Sequence, residues 1–152
     1  MSYHFGRKSR SKLDMLDEEM VLVCEDAIQI IDFTIIYTHR GQDLQDELYA
    51  RGVSKVKFPK SKHNKYPSLA FDFAPWPIQW PDYQWLRQKI DEREYDAIQI
   101  YTKATARFYA VAGVIRACAN KRGIPIRWGG DWDGDWDFFD QTFDDLGHIE
   151  KR

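Results

Sequence analysis

The chain has 152 residues, with 22 basic and 24 acidic side chains and a formal charge of -2. That length predicts a single domain, 1–152, with a core of its own, and the near-neutral balance predicts neither a nucleic-acid partner nor a stable membrane association. Aromatic residues make up 15% of the chain, more than a core alone requires, and several stand among Pro, Gly and Asp, which points to a cleft with aromatic walls.

The N-terminal segment "MSYHFGRKSRSKLDML" is basic but lacks the apolar stretch of a secretory signal. No run approaches the roughly 18 apolar residues that cross a bilayer, so the chain is expected to fold in the cytosol and to need help for any work outside it. From Ser11, the residues Leu13, Leu16, Met20, Val23, Ala27 and Ile30 recur at alternating intervals of three and four. This predicts one amphipathic helix ending near Ile31. "DFTIIYTHR" reads as a strand with Arg40 at its end. "GQDLQDELYARG" reads as a short helix with Leu44, Leu48 and Tyr49 inward and Gly52 as its stop.

A polar, lysine-rich loop then leads to His63, and "SLAFDFA" is a second strand. After the "PWPIQWPD" turn a helix is predicted from about Ala97 to Lys121, with Ile100, Ala104, Phe108, Val111 and Ile115 on one stripe and Gly123 beyond its end. "IPIRW" is a third strand, "GGDWDGDWDFFDQTFDD" an acidic loop and "LGHIEK" a last strand. Helices and strands intersperse without a strand-helix-strand repeat, so the expected class is α+β, a small and mostly antiparallel sheet packed with helices. Cys24 and Cys118 both fall in helical, partly apolar patterns that suit buried free thiols.

Catalytic zinc sites take three protein ligands from His, Asp and Glu and leave a fourth position open. His63 and Asp72 offer two, and His148, in "DDLGHIE", is the best third among the histidines; an accidental loop histidine and a capping aspartate are the blander reading of the pair. The alternating Asp131, Asp133, Asp135 and Asp137 can aim oxygens at calcium, or form a solvated acidic loop. Trp76, Trp80, Trp128 and Trp132 are candidates for a groove or for the core.

Four segments in order, "THRGQDLQDELYARG", "SKHNKYPSLAFDFAPWP", "RWGGDWDGDWD" and "QTFDDLGHIE", resemble the zinc peptidases of bacteriophage endolysins, the L-alanyl-D-glutamate peptidase and D-alanyl-D-alanine carboxypeptidase family, over about Phe33 to Glu150. The family's first motif is Ser-x-His-x6-Asp. Here the interval is two residues longer, filled by "NKYPSLAF", which a loop tolerates because only its ends must converge.

The resemblance implies a Hedgehog/DD-peptidase-like fold, zinc held by His63, Asp72 and His148, and Asp145 as catalytic base, with Asp144 as its competitor. It also implies that Arg40 meets a substrate carboxylate or the scissile carbonyl, where the plainer alternative is an ion pair with an acidic neighbour. Gln45 matches a motif glutamine without a derivable role, Ser61 and Glu150 are candidates to orient ligand side chains, and His39 is left without a part. The implied activity is hydrolysis of a stem-peptide amide in bacterial peptidoglycan, by a monomer without a separate wall-binding domain. Such a protein would gather in the host cytoplasm and reach the wall after a holin-type protein opens the membrane. The alternative is a non-catalytic, zinc-stabilised module that binds cell wall or a partner; a phage component that uses zinc only for its fold is a third. A base beside the third ligand favours the enzyme, and whether the bond is L-Ala–D-Glu, D-Ala–D-Ala or a cross-link stays open.

Overall fold

"AFDFAP" is an apolar run interrupted by one carboxylate, and it forms the strand at the centre of the sheet. In the computed structural model, which describes residues 2–152, this strand, β2 (Ala70–Pro75), lies between β1 (Phe33–Tyr37) and β4 (Asp145–Lys151), and β3 (Ile126–Gly129) forms the edge beyond β4. All three pairings are antiparallel. Side chains alternate between the two faces of a strand. Phe71 and Phe73 are fully buried, and Phe73 meets Phe108 with ring centroids 5.8 Å apart and Phe33 at 6.1 Å. Alternation sends Asp72 to the other face.

The covered face carries α5 (Asp96–Arg122), which buries Phe108, Val111, Ala112, Ile115 and Ala119, and α2 (Glu18–Ile28), whose Met20, Val23, Cys24 and Ala27 join the same core. Each large side chain fully removed from water there contributes about 1.5–3 kcal/mol. α5 stops where predicted: Gly123, at φ 70°, takes the left-handed conformation that closes the last turn at little cost. Cys24 and Cys118 are buried free thiols, and burial pushes both up from the ordinary thiol pKa.

Several expectations change. The predicted first helix is two, α1 (Arg7–Leu13) and α2, because the Asp17 carboxylate accepts the Met20 N–H and caps a new start, while Leu16 bridges to Ser68. The apolar spacing survives the break because Leu13 and Leu16 stay buried. Ile30 lies beyond the end of α2 and is exposed, as is Ile100 near the start of α5. In α3 (Gln42–Ala50) Leu48 is buried as expected, but Gln45 fills the other inward position and Tyr49 is exposed. α4 (Tyr83–Asp91) has no counterpart in the expectation: it buries only Leu86, too little to mark a stripe.

Candidate metal and active site

The site grows from the one carboxylate in the central strand. Asp72 pairs across the sheet with His148 of β4, and directly paired residues project from the same face. His63 arrives from the long loop on a 3-10 turn, Lys62–Asn64. Ser61 caps that turn, its hydroxyl accepting the His63 N–H at 3.2 Å while the Asn64 side-chain oxygen accepts the Ser61 N–H at 3.1 Å. The turn is tied to the end of β1 by the Arg40 N–H, which donates to the His63 carbonyl at 2.8 Å.

Three atoms converge. His63 Nε2 is 3.2 Å from Asp72 Oδ1, His148 Nδ1 is 3.0 Å from the same oxygen, and the two nitrogens are 3.2 Å apart. The outer ring nitrogens are both engaged: His63 Nδ1 donates to the Thr38 carbonyl at 2.6 Å, and His148 Nε2 donates to Glu150 Oε2 at 3.0 Å. A carbonyl and a carboxylate can only accept here, so each outer nitrogen carries a proton, and it is the inner nitrogen whose proton a cation would replace. Two imidazole nitrogens and a carboxylate oxygen thus face one point, a donor set that fits a cation. Ligand atoms around a tetrahedral zinc with bonds of ~2.0–2.1 Å stand about 3.3 Å apart, so the observed triangle fits that ion closely.

The charges around the triangle are balanced in layers. Burial opposes the charge of Asp72, yet His63 and His148 outweigh it and hold its carboxyl far below the usual range. Burial likewise opposes charge on His148, and its bonds to Asp72 and Glu150 win, raising it to about 9. Glu150 is lowered to about 2, because His148 and Arg127 overcome its burial. Arg127 faces Glu150 across the β3–β4 ladder and grips Oε1 through Nε at 3.0 Å and through Nη2. A divalent cation in the triangle would take over the role of the ligand protons.

Asp145 opens β4. Strict alternation from His148 would turn it to the helix side, but the β3–β4 register shifts between Trp128, opposite Ile149, and Gly129, opposite Asp145. Such bulges re-aim side chains, and Asp145 lines the same cleft as His63, Asp72 and His148. Gly129 makes the approach feasible, since a Cβ there would lie 2.9 Å from that of Asp145. Burial, then the charge of Asp72, pushes the Asp145 carboxyl up. Asp144 is exposed and accepts from Gln141 Nε2 at 3.2 Å.

Arg40 ion-pairs with the outer oxygen of Asp72 and lies over the Tyr37 ring, 5.0 Å from its centroid; the acidic neighbour of the plainer alternative is therefore one of the three converging residues. Gln45 has a clear structural task. Its Nε2 donates to Ser54 Oγ at 2.8 Å and to the Val56 carbonyl at 2.7 Å, and its oxygen accepts from Asn64 Nδ2 at 3.4 Å, which binds α3 to the loop bearing His63. Ser61 acts on the backbone of His63, whereas Glu150 touches the His148 ring. His39 packs edge-on against Tyr66.

The cleft measures about 660 Å³, and Trp80, Trp132 and Phe143 stand in its walls with Lys55, Lys60 and Lys62. Trp128 is buried core and Trp76 is exposed. In the acidic loop Asp131, Asp133 and Asp135 come within ligand spacing of one another, and Asp137 is outside that group. Asp131 is buried, ion-paired with Arg116 at 2.8 Å, and accepts the Gly134 and Trp136 N–H groups. Any cation there would compete with a guanidinium. The sequence reading missed Thr38 and Arg127. The first acts through its carbonyl, which no residue type announces, whereas Arg127 has a trace in its strand position opposite Glu150.

A family model described as phage L-alanyl-D-glutamate peptidase matches residues 1–151. The chain belongs to this family. It is thus an enzyme, a peptidase acting on peptidoglycan, and the binding-module alternative gives way. The crystal structure of the Serratia marcescens L-Ala D-Glu endopeptidase ChiX has a similar fold, with a TM-score of 0.65 and 19% sequence identity, covering 98% of this chain and 90% of that one. Comparison with curated proteins gives no match.

Proposed function

We propose that this peptidase is zinc-dependent, that it hydrolyses the L-Ala–D-Glu amide of the stem peptide, and that it serves phage lysis of the host. The observation that carries the reading is the convergence of His63 Nε2, Asp72 Oδ1 and His148 Nδ1 within 3.0–3.2 Å of one another, in a cleft shared with Asp145. Zinc held there would supply Lewis acidity toward a carbonyl oxygen and a lowered pKa for water.

The residues divide the remaining work. Asp145 takes the proton of the attacking water and passes it to the departing D-Glu amine; burial and the charge of Asp72 push its carboxyl up from the ordinary carboxylate pKa, which a nearby dication would oppose. Thr38 and Glu150 hold the two imidazoles in the tautomers that face the centre. Arg40 directs the outer oxygen of Asp72 through their ion pair, and offers its remaining N–H groups to a substrate carboxylate or the scissile carbonyl. Lys55, Lys60 and Lys62 favour an acidic stem. Calcium has no part in these steps.

No helix among the described residues is long and apolar enough to cross a membrane. The enzyme is further proposed to be a monomer that gathers in the host cytoplasm and acts on the wall once a holin-type protein gives access. The test is release of amino groups from purified peptidoglycan, with zinc content determined alongside. Asp145→Ala is expected to keep one zinc per chain and to lose release by about 10²-fold or more. A wild-type protein that holds zinc and releases nothing overturns the reading.

A further inference from the structure

The scissile amide of an L-Ala–D-Glu bond lies one residue from the lactyl group that joins the stem peptide to N-acetylmuramic acid. One residue spans at most about 3.6 Å. When the amide reaches the metal triangle, the sugar must therefore meet the cleft wall, and the two aromatic walls are not equivalent.

The Trp132 wall is covered. The Arg127 guanidinium carbon stands 5.5 Å from the Trp132 ring centroid, Phe143 stacks on that ring at 6.3 Å, and the Lys55 ammonium lies 5.3 Å from the Phe143 centroid. A wall that carries an ammonium group such as Lys55 suits a carboxylate. The Trp80 wall is open. Its ring packs on Phe108 at 5.2 Å while the residue remains 52% exposed, and among the described residues no cation lies over the ring.

Trp80 also divides the cleft from a second hollow of about 180 Å³, lined by Gln79, Trp80, Asp82, Trp85 and Tyr101. Asp82 uses Oδ1 to accept the Trp85 N–H at 3.0 Å and cap α4, so its other oxygen can accept from a hydroxyl. An amide, a carboxylate and aromatic faces together match the chemistry of a pyranose, whose C–H face stacks on an indole while its hydroxyls and acetamido group take hydrogen bonds.

We propose that Trp80 and this hollow form the subsite for the N-acetylmuramoyl sugar, so that the glycan leaves the cleft over Trp80 and the acidic stem leaves past Trp132 and the lysines. The inference rests on the L-Ala–D-Glu reading. It makes Trp80 a determinant of specificity for glycan-bearing over free stem peptides.

The experiment compares kcat/KM of the zinc-loaded enzyme on two substrates, an N-acetylmuramoyl stem peptide and the same peptide capped with an acetyl group. Wild type is expected to prefer the sugar-bearing substrate. Trp80→Ala is expected to lose about tenfold on that substrate, as befits one stacking contact, and less than twofold on the capped peptide. Trp80→Phe, which keeps a ring against Phe108, is expected to retain most of the preference, and Asp82→Asn to lose part of it. Equal cleavage of both substrates by wild type overturns the subsite and leaves the peptidase standing. Equal losses on both substrates in Trp80→Ala overturn it too, by assigning that ring to packing. Cleavage of neither substrate by wild type overturns the peptidase reading and the subsite with it.

Discussion

At the scale of single residues, the site depends on which nitrogen of each histidine keeps its proton. His63 is governed by a backbone carbonyl that no substitution removes, whereas His148 is governed by a side chain, Glu150, itself held by Arg127. Replacing Glu150 by Gln keeps the shape but removes the charge that makes the His148 ring a better donor toward a metal, and it leaves Arg127 without its anion. Partners of this kind typically change metal affinity by about 10–100-fold. Glu150→Gln is therefore expected to weaken zinc binding by about that factor in competition with a chromogenic chelator, with the fold retained. An unchanged affinity would show that Glu150 only anchors Arg127.

At the scale of elements, β4 must press closely against β2 for Asp72 and His148 to meet, and Gly147 permits this. A Cβ there would lie 2.8 Å from the Phe73 carbonyl oxygen and 3.7 Å from the Phe108 ring. The first is a backbone atom that cannot swing aside. Gly147→Ala is expected to cost about 1–3 kcal/mol of stability and to weaken zinc binding, because the strand is displaced beside the ligand. Gly113→Ala in α5, where an added Cβ meets nothing within 4 Å, is the contrast and is expected to raise stability by up to about 1 kcal/mol. Thermal unfolding and zinc titration of the two variants separate overpacking from the generic effect of adding a methyl group.

The same scale shows what the sequence made legible. β2 was readable because its apolar run is bounded by turn residues, and α5 because its buried stripe is long. α4 was not, having one buried residue, and the division between α1 and α2 was hidden because the apolar period runs through the break unchanged. The three converging residues were legible from residue type and motif. Arg127 and Thr38 were not, because one acts through cross-strand register and the other through its carbonyl, and neither is a property of local sequence.

At the scale of the whole molecule, the triangle of His63, Asp72 and His148 joins the loop turn to β2 and β4, and His63 and His148 are 85 positions apart. A cation that binds only the folded arrangement stabilises it by RT ln(1 + [L]/Kd), about 4 kcal/mol at a thousandfold excess over Kd. The pH dependence of that gain has a definite sign. In the metal-free protein, burial opposes the charge on His148, but Asp72 and Glu150 prevail and raise it to about 9, against about 6.5 for an unfolded histidine. Its contribution to stability is therefore complete below about pH 6.5 and is lost as pH rises toward 9. Zinc binding runs the other way, since the ligands must shed protons to bind and the competition fades with rising pH. The difference in melting temperature between zinc-loaded and chelator-stripped protein is expected to widen from pH 6 to pH 9, with the stripped protein losing stability across that interval. A gap that narrows over the same range would mean that the ion sits elsewhere than among His63, Asp72 and His148.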